Sequence, residues 1–219
     1  MRNYFKSIFY LVVLTGFNGV FAGSYEDFFI AIKRDDPATI TALLSRGFDP
    51  NTRDPDGLPG LYLAVREPSL KAAEALIAWP KSNVEVRTVQ DESPLMMAAL
   101  KGHLEIARKL IARDADVNKT GWAPLHYAAT NGHVPVIRLL LDHHAYIDAE
   151  SPNGTTPLMM AAHYGSPEAV KLLLEAGADP ALKNKLGLTA LDFAQRANRS
   201  DAAGLIAAFI RGKQPKGQW

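Results

Sequence analysis

From about residue 25 to residue 210, apolar residues fall into two alternating patterns. One is the spacing i, i+3, i+4, seen in Ile137, Leu140 and Leu141 and again in Val170, Leu173 and Leu174. Such spacing predicts helices that pack one face and leave the other in water. Ahead of each such stripe lies a shorter, almost wholly apolar stretch. "SPLMMAALKG" (93–102) and "TPLMMAAHYG" (156–165) write nearly the same ten residues twice. A Ser or Thr that caps, followed by Pro in the first turn, fixes where a helix begins, because Pro loses no hydrogen bond there and the hydroxyl satisfies an orphan N–H. The pairs Ala98/Ala99, Ala128/Ala129 and Ala161/Ala162 are small where neighbouring first helices must approach closely, with Leu95, Leu125 and Leu158 filling the space beside them. The Met pairs read as adaptable filler in the same contact. Gly102, Gly132 and Gly165 are expected to end the first helices in the left-handed conformation.

The pattern is periodic. Pro94, Pro124 and Pro157 are 30 and 33 residues apart, Thr189-Ala190-Leu191 lies 33 beyond Thr156-Pro157-Leu158, and Gly60-Leu61 lies 34 before Pro94-Leu95. Six copies of one helix-loop-helix unit follow, joined by Gly/Asn/Asp-rich turns that project as fingers. Ser166-Pro167 and Asp36-Pro37 predict starts of second helices. The finger "NKTGW" is short, and Pro59-Gly60 replaces the Thr-Pro start in the second copy. Lys33, Arg34, Asp35 and Asp36 in the first copy, and Arg196, Asn198, Arg199 and Asp201 in the sixth, read as polar end caps, which a one-dimensional stack needs at its unpartnered faces.

These units resemble ankyrin repeats, on the strength of "APLHYAATNGHVPVIRLLLDHHAYID" and "TPLMMAAHYGSPEAVKLLLEAGADP". The resemblance implies an all-α ankyrin repeat solenoid of about six units with degenerate terminal caps and projecting β-turn fingers. It also implies that His126, in the Thr-Pro-Leu-His position, is a neutral imidazole tethered to backbone. In this family the residues flanking the finger glycines and the two after the Ala pair face a concave groove. That register gives Trp122, Thr130 and Asn131, then Asn153, Thr155, His163 and Tyr164, as the protein-binding residues.

Residues 1–22 carry Arg2 and Lys6, an apolar run from Ile8 to Leu14, and Val20-Phe21-Ala22 with small or branched residues three and one before a cleavage point. This reads as a secretory signal peptide removed after Ala22, because Thr15, Gly16, Asn18 and Gly19 interrupt the run before the roughly 20 residues a spanning helix needs. Its loss takes the formal charge from +1 to −1, which leaves no electrostatic footprint for nucleic acid. With 47% hydrophobic residues the remainder can bury a core, and with no Cys it has neither disulfides nor a lipid-modified N-terminal Cys. The domain plan is therefore a signal peptide at 1–22, a repeat domain at 23–212 and a disordered tail at 213–219. The expected location is the periplasm, with no membrane attachment after cleavage.

Catalytic constellations are missing from the sequence. There is no Gly-x-Ser-x-Gly, no His-Glu-x-x-His and no phosphate-cradling Gly loop. His103 and His133 follow inter-helix glycines and read as structural, and adjacent His143 and His144 diverge by about 100° on a helix, so they do not chelate one ion. The reading is a monomeric, non-enzymatic interaction module without cofactor or metal. Its partner is a protein, and the resemblance points to a periplasmic enzyme that it protects or a delivered toxin that it neutralises. The alternative is a small-ligand or enzymatic pocket around His163 and Tyr164.

Overall fold

A computed structural model describes residues 23–213, so the expected signal peptide and all but the first residue of the expected tail lie outside the described residues. The chain divides into two compact units, Met1–Val89 and Gln90–Trp219. In both, the described elements are short helices, and no strand is present among the described residues.

In the first unit, α1 (23–33) is followed by α2 (Pro37–Ser45), α3 (Gly60–Arg66) and α4 (Leu70–Ala78). Phe28, Ile32, Ile40, Leu43, Leu61 and Leu76 form its core. Asp36 caps α2 by accepting from the Ala38 and Thr39 amides at 3.0 and 3.1 Å, with Pro37 in the first turn. Asp35, expected only as an end-cap charge, has a further task. It adopts φ 52° and accepts the Ala72 amide at 2.8 Å, serving the first turn of α4, whose own Ser69 makes no side-chain cap. Gly60 takes the place of Thr-Pro for a steric reason, because a Cβ there would lie 2.6 and 2.9 Å from the Phe28 ring. The finger between α2 and α3 closes through the antiparallel bridge of Arg53 with Pro59, and the Tyr25 hydroxyl donates to the Arg53 carbonyl at 3.0 Å.

The second unit holds four helix pairs: α5 (Pro94–Lys101) with α6 (Leu104–Ile111), α7 (Pro124–Thr130) with α8 (Val134–Asp142), α9 (Pro157–Tyr164) with α10 (Pro167–Glu175), and α11 (Ala190–Arg196) with α12 (Ser200–Lys213). Helices α5, α7, α9 and α11 pack as one row in sequence order. All six alanines of the three pairs have no exposed surface, which is why small residues recur there. The helix α12 runs to Lys213, the first residue of the expected tail.

The starts of α5, α7, α9 and α11 share one device, built with three kinds of side chain. Ser93, Thr156 and Thr189 accept the amide three residues on, and the residue at that third position reaches back to the cap's own N–H. The acceptor is the Met96 sulfur at 3.4 Å, the Met159 sulfur at 3.4 Å and the Asp192 carboxylate at 2.7 Å. In the fourth case the His126 Nδ1 accepts from Ala123 at 3.1 Å. The first Met of each Met-Met pair is thus a weak capping acceptor as well as filler.

Gly102 and Gly132 are left-handed, at φ 73° and 66°, as the helix-end reading requires. Gly165 is not. Its φ of −78° suits any residue, and its backbone is extended. The requirement there is space: a Cβ would collide with the Ala129 carbonyl oxygen and sit 2.9 Å from Ala161 Cα.

A second repeated device ties successive finger bases within each unit. Asn118 donates to the His144 carbonyl at 2.8 Å and accepts from the Tyr146 amide at 2.7 Å. Asn51 does the same for Lys81 and Asn83 within the first unit. Asp148 holds the equivalent position in the next copy, accepts from the Asp179 amide at 3.1 Å and has no N–H to donate. Burial, then the neighbouring Asp179 charge, push its pKa above the ordinary aspartate value.

Candidate functional site

Most side chains of α5, α7 and α9 are buried by packing, and a small cavity of about 260 Å³ opens among those that are not. Leu100, Trp122, His126, Tyr127, Thr130 and Met160 line it. Three consecutive repeats therefore contribute. The short finger before α7 delivers Trp122, whose half-buried indole meets the His126 ring edge-on at 5.2 Å and 74°.

His126 is wholly buried, and both ring nitrogens are engaged. Because Nδ1 accepts the Ala123 N–H, it carries no proton, so Nε2 donates to the Thr155 carbonyl at 2.9 Å. Burial holds its pKa below the ordinary histidine value, so the ring is neutral at physiological pH. It is a tether, not a free base. The Thr130 hydroxyl donates to the His126 carbonyl at 2.8 Å. The Tyr127 hydroxyl donates to Glu92 at 3.3 Å. Its pKa is pushed up to about 12 by burial, then by the Glu92 and Asp91 charges, so it stays a neutral phenol. Lys119 pairs with Asp91 at the same edge.

The seven residues expected to face a partner separate into three groups. Trp122 and Thr130 line the cavity, and exposed Asn131 lies just after them with its amide on the Leu100 carbonyl at 2.7 Å. Asn153 and Thr155 belong to the scaffold of the next finger. Asn153 is exposed, but its Oδ1 accepts from the Ser151 hydroxyl at 2.5 Å and the Thr155 amide at 3.2 Å. Thr155 is 2% exposed and its carbonyl takes the His126 N–H, so its side chain presents no surface. His163 and Tyr164 close α9 as an edge-on pair 4.0 Å apart, with the His163 Nδ1 3.3 Å from the Phe193 carbonyl. Tyr164 is 59% exposed and neither residue lines the cavity.

Leu100, Tyr127 and Met160 went unrecognised in the sequence. Tyr127 and Met160 hold the same repeat position as Met97, which is 5% exposed, so the pattern alone reads it as packing. Burial at that position depends on the neighbour, which only the folded stack supplies. Among the described residues, no group of three or more His, Cys, Asp or Glu is placed to hold a metal, and no helix is long and apolar enough to cross a membrane.

A sequence profile described as "Ankyrin repeats (3 copies)" matches residues 28–120, 61–151, 114–184 and 146–214. Among curated proteins, the mouse ankyrin repeat and SAM domain-containing protein 6 is 37% identical over 129 residues, 56% of this chain and 15% of its own length. The mouse B-cell lymphoma 3 protein homolog is 29% identical over 188 residues, 82% of this chain and 42% of its own. The chain thus spans less than half the length of either. Two solved structures cover more evenly. An ankyrin repeat domain from Acinetobacter baumannii AYE matches with TM-score 0.73 and 29% identity, covering 84% of this chain and 97% of that one. A chain from the complex of a predatory endopeptidase with an immunity protein, from Bdellovibrio bacteriovorus, matches with TM-score 0.72 and 28% identity, covering 83% and 97%.

Proposed function

The chain belongs to the ankyrin repeat family, and from that premise we propose that it is an exported, non-enzymatic binding module of the cell envelope. Ankyrin repeats bind protein partners. Here the partner rests on the row α5–α7–α9 and its fingers. The observation that carries this reading is the aromatic cavity at Trp122 and Tyr127. It is a water-facing hollow of about 260 Å³ between side chains that packing leaves partly free, below the roughly 300–1,000 Å³ typical of small-molecule sites. It suits one apolar side chain from a protein better than a cofactor. The groups around it supply no chemistry, since His126 is tethered at both nitrogens and the Thr130 hydroxyl is bound to backbone. The resemblance to a chain from an endopeptidase complex with an immunity protein supports a protective or inhibitory role toward an enzyme or toxin of the same compartment.

The test begins with capture of partners from an envelope extract at moderate salt. The identified partner is then purified and titrated against wild type and the double variant Trp122→Ala with Tyr164→Ala. Truncating aromatic anchors of an interface often costs about 2 kcal/mol or more, so a fall in affinity of at least tenfold is expected at unchanged melting temperature. Unchanged affinity, or loss only through unfolding, rejects this surface.

A further inference from the structure

A larger cavity lies in the first unit, and none of the residues assigned to partner binding lines it. About 750 Å³ in volume, it is bounded by α1, the finger before α3, and α3 itself. Its apolar floor is Tyr25, Phe29, Ile30, Pro55 and Leu63. Ile30 is 43% exposed, and Tyr25 and Phe29 meet edge-on at 5.0 Å. A terminal repeat needs a polar outer face for solubility, and residues 33–36 supply one, but this side of α1 stays aromatic and aliphatic.

The rim carries charge of one predominant sign. Glu26, Asp54, Asp56 and Glu67 face Lys33 and Arg66, a balance of −2. Arg66 is already paired with Glu67 at 3.0 Å, so three carboxylates remain against Lys33. Asp54 also holds the finger in shape by accepting the Asp56 and Leu58 amides at 3.0 and 2.7 Å, and the Tyr25 hydroxyl ties that finger to α1. The groove is therefore pre-formed. An anionic ligand, whether nucleic acid or an acidic lipid surface, meets repulsion here. A neutral apolar ligand would cover carboxylates without compensating them, which is unfavourable.

We propose that this groove is a second docking surface, for a basic amphipathic segment of a partner protein whose apolar side chains cover Phe29 and Ile30 while its Lys or Arg residues meet Glu26 and Asp56. The proposal goes beyond the binding surface on α5–α7–α9 and does not depend on it.

The probe is a synthetic amidated peptide of alternating lysine and leucine, titrated calorimetrically into the purified protein at low and moderate salt. Two control peptides replace all lysines by glutamate or all leucines by serine. Saturable one-site binding is expected for the first peptide, and at least tenfold weaker binding for either control. Ile30→Asp, and Glu26→Gln together with Asp56→Asn, should each weaken binding at least tenfold with melting temperatures close to wild type. Trp122→Ala with Tyr164→Ala should leave it unchanged. Absence of saturable binding, equal binding of either control peptide, or indifference to the first-unit variants overturns the proposal. Sensitivity to the Trp122 and Tyr164 pair instead would move the peptide to the second unit and also overturn it, leaving the reading of that unit intact.

Discussion

Gly187, in the finger before α11, and Gly165, at the end of α9, require glycine for different reasons, and substitution by Asn separates the causes. At Gly187, φ is 73° and a Cβ would meet nothing within 4 Å, so the only cost of a side chain is the left-handed backbone. Ala there should cost about 1–2 kcal/mol, whereas Asn tolerates the left-handed region and should recover most of it. At Gly165 the backbone is already acceptable to any residue, and the obstacles are the Ala129 carbonyl and the Ala161 Cα and carbonyl, the last two at 2.9 and 3.0 Å. Backbone atoms cannot rotate aside as a side chain can. Ala should therefore cost about 1–3 kcal/mol by overpacking, and Asn, being larger, at least as much. For a chain of this length each kcal/mol lowers the melting temperature by roughly 2–4 °C. The assay is thermal and urea unfolding of the four single variants, followed by circular dichroism. Rescue by Asn at Gly187 and none at Gly165 is expected. If Gly165→Asn proves as stable as Gly187→Asn, the close approach of α7 and α9 at that point is wrong.

Two further perturbations test the polar ties between repeats. Asp148→Asn should stabilise by roughly 0.5–1 kcal/mol at neutral pH, because the amide gains the donor that Asn118 uses and loses the repulsion from Asp179. The raised folded-state pKa of Asp148 means that the penalty is complete above that pKa and vanishes as pH falls below the ordinary value of 3.8, so the advantage of Asn should fade in acid. An advantage independent of pH would refute this. His126→Ala should cost about 2–5 kcal/mol, since it strands the Ala123 N–H and the Thr155 carbonyl in a buried site. Because the folded-state pKa is lowered, the unfolded chain binds the proton more readily, and wild type should lose stability as pH falls below 6.5. Chemical unfolding at a series of pH values checks this, and an unaltered slope in the variant would count against it.

The repeat period, the helix starts and the Ala–Ala contact line are readable in the sequence, because each rests on local chemistry. A capping Ser or Thr, a first-turn Pro and a pair of methyl side chains do the same thing wherever they occur. The neutral tethered state of His126, implied by the family resemblance, also rests on a local contact with Ala123, completed by the next finger. Other features depend on which residue of a neighbouring repeat lies opposite. Tyr127 lines a hollow while Met97, at the same position, is covered. Thr155 sits beside a finger glycine like Trp122, yet it is buried because the finger folds back onto His126. Gly165 shares its position with two left-handed glycines and is required instead by the backbone of α7. Asp35 looks like a surface charge until α4 presents an uncapped amide to it. One-dimensional periodicity identifies the unit, but the exposure of a given side chain is set by the shape of its two neighbours, and that information arises only when the repeats pack.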